Sequence, residues 1–159
     1  MKTVATILAT FTVTTSVLSA PTQADVDRAL QLLRAFNKSL HAWNTRPNCL
    51  GDKECAFKEA ALLDQLVHDG DQYLGQSPVL LASLWDTKAA SGISDAEITK
   101  QAAVFQACDR IAVTAKRFAD ALHSFMNSRT KEQIEERRKA VVVERTNFDQ
   151  AVREFPTER

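Results

Sequence analysis

The stretch that most constrains this chain is Ile93 to Met126, where the start, the period and the end of one amphipathic helix can all be read. Ser94 can accept a hydrogen bond from the backbone N–H of Glu97, Glu97 can reach back to Ser94, and Ile93 can staple onto Ile98. Ile98, Phe105, Ala112, Ala119 and Met126 then recur every seven residues, with Cys108, Ala115 and Leu122 between them. Ile111, Phe118 and Phe125 widen that stripe into a core-facing side, while Lys100, Arg110, Lys116, Arg117 and Asp120 suit solvent. A helix of this length needs partners along its whole apolar side, so the rest of the chain is expected to pack around it.

Other segments supply those partners. Asp25 or Thr22 can cap a first helix whose apolar side is Val26, Ala29, Leu30, Leu33, Phe36, Leu40 and Trp43, ending near Asn44. Pro47 disfavours helix at Arg46, so Thr45 to Glu54 reads as a loop. A second helix is expected from about Cys55 to Leu74, with Phe57, Ala60, Ala61, Leu63, Val67 and Leu74 inward, Gly70 weakening its last turn and Gly75 stopping it. Ser77 as cap and Pro78 at the first helical position open a short third helix through Leu80, Leu81, Leu84 and Trp85 to Gly92. Thr130 and Gln133 form a capping box for the last, with Ile134 as its first core residue. Val141, Phe148 and Phe155 continue that stripe, Arg138 and Arg145 narrow it, and Pro156 stops it.

With only four glycines and four prolines in 159 residues, helices are favoured over a turn-rich β fold. The expectation is an all-α, antiparallel bundle of about five amphipathic helices in one domain over 25–159. The central helix would lie against the first and last, with the third closing one end. Residues 1–24 read as a secretory signal peptide: Lys2 is the charged start, Val4 to Leu18 is apolar, and cleavage can follow Ala20 or Ala24. No second run approaches a membrane span, so the product is expected to be secreted and soluble outside the cell. Acidic and basic residues balance at 20 each, so no nucleic-acid partner is implied.

An oxidising compartment makes the three cysteines informative. Cys49 and Cys55 flank a glycine turn and are the favoured disulfide, with a bridge from either to Cys108 as the rival pairing. Asn37-Lys38-Ser39 fits the glycosylation sequon. Asp64 and His68, four apart and near Asp69 and Asp71, could donate to a metal, although that spacing also makes a plain surface pair. No HExxH, paired CxxC, phosphate loop or GxSxG elbow is present, so neither metal nor cofactor is assigned and no catalytic role is expected. Small residues instead alternate with large ones: Ala112 and its neighbouring alanines with Phe105, Phe118, Trp43 and Trp85. Such alternation can leave a slot between helices for an acyl chain or sterol. The candidate lining residues are those four aromatics with Ala112, together with Phe36, Leu63, Leu84 and Leu122.

The leader, Asp25-Val26, the Leu66-Val67 helix with its small C-terminal turn, Gly92-Ile93-Ser94-Asp95-Ala96 and the closing Phe155-Pro156 together resemble the fungal hydrophobic surface-binding protein family, also called cell-wall mannoproteins. The resemblance covers most of the chain as pattern rather than motif, and it carries over no site residue. Cys49, Cys55 and the charged last helix depart from it. It implies a secreted, non-catalytic protein that sits in the cell wall or the extracellular medium and contacts hydrophobic surfaces, lipid or fatty acid through its amphipathic helices. A small secreted effector binding a host or partner protein is the alternative, and it would show an exposed patch rather than a slot.

Overall fold

The computed structural model describes residues 20–46 and 53–156. They form five α-helices and, among the described residues, no strand: α1 (Gln23–Asn44), α2 (Lys53–Leu74), α3 (Ser77–Ser91), α4 (Asp95–Met126) and α5 (Lys131–Arg153). Most of the expected leader, and Cys49, lie outside the described residues.

The caps follow the local chemistry with small shifts. Thr22, not Asp25, caps α1, and Asp25 completes the capping box by accepting from the Thr22 N–H at 2.9 Å. Helix α1 therefore starts before residue 25, inside the segment expected to be cleaved. Ser94 accepts from the Glu97 N–H, but the Glu97 carboxylate accepts from Gln101 instead of reaching back. Thr130 caps α5 as expected, while Gln133 accepts from the N–H of Arg129, one residue short of the cap. Ser77 is not a cap: Gln76 takes that position, Pro78 follows as the second helical residue, and the Ser77 hydroxyl donates to Asp109 on α4 at 2.9 Å. Burial beside a carboxylate outweighs the local capping preference. Gly92 ends α3 in the left-handed region at φ 67°, but Gly75 has no positive φ, so the α2–α3 break is a plain turn.

Cross-helix bonds establish the antiparallel order. Ser39 donates to Asp69 and Arg46 to Glu59, which run α2 down against α1. Asp71 meets Lys116 and Asp64 faces His123, fixing α4 upward beside α2. Ser77 to Asp109 and Lys88 to Asp95 place α3 along the first half of α4, and Arg137 to Ser124 and Arg110 to Glu154 lay α5 down its second half. Helices α2 and α3 thus descend in succession alongside α4, whose 32 residues span about 48 Å at roughly 1.5 Å each. This corrects the expected neighbours. The α4 backbone lies beside α5, α2 and α3, whereas the α1 backbone lies beside α2 and α3 and meets α4 through side chains such as Trp43 against Phe118. The third helix flanks α4 instead of closing an end.

The core joins Phe36, Leu40 and Trp43 of α1 with Leu63, Leu66 and Tyr73 of α2, Leu80 of α3, Ile111, Ala115 and Phe118 of α4, and Phe148 of α5. The phase of α2 is set by Leu63, Leu66, Gly70 and Tyr73, which share one side at helical spacing. Phe57 and Ala61 fall on the opposite side and are exposed, Phe57 at 79%, so they are not core residues. Ile134 and Met126 are likewise exposed, because each lies at the end of its helix, beyond the layer that its stripe packs against.

Gly70 has a packing role. A Cβ there would stand 3.2 Å from the Ala112 Cβ and 3.3 Å from the Phe36 ring, so the missing side chain lets α2 approach α4 closely. Gly70→Leu should therefore destabilise the fold by about 1–3 kcal/mol or more, despite leucine's better helix propensity. A denaturant melt showing unchanged or raised stability would contradict this packing.

Candidate functional site

Where the C-terminus of α1 meets the start of α2, the end of α4 and the middle of α5, the core ends in a cavity of about 430 Å³. Its floor is aromatic. The Trp43 ring lies 6.3 Å from Phe118 and 5.7 Å from Phe148, and Phe118 stacks on Phe148 at 6.2 Å. The walls are Ala60 and Leu63 from α2, Leu122 from α4 and Val141 from α5, with Glu59, Arg145, Phe57 and Met126 completing the lining. Phe57 and Met126 are largely solvent-exposed, which places them at the mouth.

The cavity follows from residue sizes. Ala60 puts only a methyl group where a large side chain would fill the space, and the polar Arg145 stands in the apolar stripe of α5. Two of the polar groups here, Arg46 and Glu59, are tied down. The Arg46 guanidinium lies 3.5 Å over the Trp43 ring, donates to Glu59 at 2.8 Å and donates to the Trp43 carbonyl at 2.7 Å. Glu59 is thereby neutralised beside an apolar space. Arg145 is held loosely, 3.9 Å from Asp149. Such an enclosure can take an apolar chain, its volume lying at the smaller end of the ~300–1,000 Å³ usual for ligand pockets.

Of the expected lining residues, the structure brings Trp43, Leu63, Phe118 and Leu122 together here. The others sit elsewhere. Phe36 is buried and stacks on Tyr73 at 5.5 Å, and Ala112 packs against the Gly70 gap. Phe105 is half-buried and its carbonyl accepts from the Tyr73 hydroxyl at 3.2 Å. Leu84 is buried on α3, and Trp85 is 55% exposed with the Lys88 ammonium 5.4 Å from its ring. Ala60, Val141 and Arg145 are additions. Their sequence signal was the small residue in α2 and the charge interrupting the stripe of α5.

Asp64 and His68 do not face each other: Asp64 lies 3.6 Å from His123, and His68 is 3.0 Å from Gln72. Among the described residues, no three His, Cys, Asp or Glu side chains are grouped to hold a metal ion. Asn37 is exposed in the middle of α1, whereas Ser39 of the same sequon is buried and bonded to Asp69.

Cys108 is a free, buried thiol, which removes the rival bridge to it, and Cys55 is engaged by a partner. Burial, and then the charge of Asp109, push the Cys108 thiol up to about 11 from 9.0. The same two causes raise the neighbouring Tyr73 phenol. Both groups are bound more tightly to their protons in the folded state, so their contribution to stability is complete below their unfolded values and is lost as pH rises. For the thiol that window runs from about 9 to about 11. Melts across it should show falling stability with a shallower slope in Cys108→Ala, and the Cys108 peptide should resist iodoacetamide at neutral pH until denaturant is added. Ready labelling of the native protein would contradict the burial.

No family model, curated protein or solved structure matches this chain.

Proposed function

We propose that this is a secreted, non-catalytic protein that binds hydrophobic surfaces or lipids, with one apolar chain held in the Trp43–Phe118–Leu122 cavity. The supporting observation is an apolar cavity of about 430 Å³ that ends an otherwise packed core. An apolar chain would supply the packing contacts that the side chains of Leu63, Leu122 and Val141 lack on one side in this half-open recess. Its size suits a single acyl chain better than a two-chain lipid. The pattern-level resemblance to fungal hydrophobic surface-binding proteins points the same way. The effector alternative draws on exposed apolar side chains, but Phe57 and Met126, the most exposed of them, belong to the cavity mouth.

Secretion is part of the proposal, with a Cys49–Cys55 bridge fixing the loop between α1 and α2. The Thr22 cap survives cleavage after Ala20 and is lost after Ala24. Native mass spectrometry of the protein recovered from the medium tests these points together. A co-purifying fatty acid, two hydrogens missing for one disulfide and a truncated N-terminus are expected. Protein that carries nothing, takes up no added fatty acid and fails to coat hydrophobic beads would overturn the reading.

A further inference from the structure

The side of α5 that borders the cavity mouth carries a second pattern. Lys131, Arg138 and Arg145 recur at seven, which puts them in one row along the helix. Beside that row lie Ile134 and Val142, exposed at 45% and 59%, and across the mouth stand Phe57 and Met126 at 79% and 69%. Large apolar side chains exposed on three helices around one opening are not explained by the core.

The charges are arranged to match. Lys131 and Arg138 make no ion pair among the described residues, and Arg145 holds Asp149 only at 3.9 Å. Of the acids near this mouth, Glu59 is taken by Arg46, Glu54 has Lys58 at 2.9 Å, Asp64 faces His123 at 3.6 Å and Asp149 faces Arg145, which leaves Glu135, one turn from both Lys131 and Arg138. A chain with equal numbers of acidic and basic residues thus presents a local strip of cations interleaved with exposed apolar groups. That is the composition of a surface that lies in a lipid interface, apolar groups entering the acyl boundary and cations meeting headgroup phosphates.

We propose that the α5 row and the mouth dock the protein on an anionic lipid surface, with the cavity opening toward the lipid. Docking rests on the cavity reading only for its purpose, the entry of a chain from the surface; attachment itself is a separate property. Three cations near an anionic leaflet contribute about fivefold in affinity each, an interaction that salt weakens.

Co-sedimentation of the full mature protein with phosphatidylcholine vesicles, with and without phosphatidylserine, tests this. Preference for the serine-containing vesicles, lost in high salt, is expected. Lys131→Gln with Arg138→Gln should weaken binding about 25-fold. Ile134→Ser with Val142→Ser should weaken it about tenfold. The matched charge loss Arg34→Gln with Lys38→Gln, on α1, should leave it within about twofold. None of these residues lines the cavity, so uptake of a soluble fluorescent fatty acid, measured on the same variants, should not change. Equal binding to both vesicle types, no binding to either, or an equal effect of the α1 pair would overturn the docking proposal. Absent fatty-acid uptake with vesicle binding intact would overturn the cavity reading and leave docking standing.

Discussion

Trp43→Ala should lower the free energy of unfolding by about 3–5 kcal/mol, a large share of the ~5–15 kcal/mol that holds a domain of this size together. Trp43 is 3% exposed, and it contacts Phe118 of α4 and Phe148 of α5, helices that are not backbone neighbours of α1. Truncation removes the ring's own burial and also disconnects α1 from the α4–α5 pair at this end of the bundle. Trp85→Ala is the internal comparison. That side chain is 55% exposed and its loss should cost less than about 0.5 kcal/mol. Urea melts of the two variants decide the matter: equal costs, or a cost below about 1 kcal/mol for Trp43, would place the aromatic cluster outside the stabilising core.

Leu122→Trp should abolish uptake of a fatty acid while leaving the melting temperature nearly unchanged. Leu122 is half-buried on the cavity wall, and an indole there can enter the open volume instead of displacing packed atoms. The usual cost of overpacking, about 1–3 kcal/mol, arises only where no space exists. The same exchange at the buried Leu80, which does not line the cavity, should destabilise the fold by that amount. Retained uptake in a folded Leu122→Trp protein would mean that the ligand sits elsewhere.

The fold was legible where the information is local. Ser94, Thr130 and the heptad stripe of α4 carry their own starts and periods, and these elements stand where the sequence places them. Where two elements compete, local reading was insufficient. Ser77 is a good cap in isolation but spends its hydroxyl on Asp109, 32 positions away. Phe57 and Ala61 form an apolar side of α2 by spacing, yet Leu66 and Tyr73 take the core, with Tyr73 stacked on Phe36 on the side where Gly70 lets Phe36 and Ala112 approach. The position of α1 relative to α4 depends on how α2 and α3 follow one another, which no single helix encodes. The cavity was half legible for the same reason. Trp43, Leu63, Phe118 and Leu122 share a layer because short connections fold their helices antiparallel, while Phe36, Ala112, Phe105 and Leu84 belong to other layers of the same stripes. Arg145 was visible as a charge out of place, but only the neighbouring helices give it a mouth to line.

The most direct measurement is a methyl-resolved NMR titration of the mature protein with a fatty acid. Binding in the cavity should shift the methyl resonances of Leu63, Leu122 and Val141 and leave those of Leu80 and Leu84 on α3 in place. Shifts centred on α3, or no shifts at ligand concentrations that saturate ordinary lipid carriers, would contradict the cavity as the binding site.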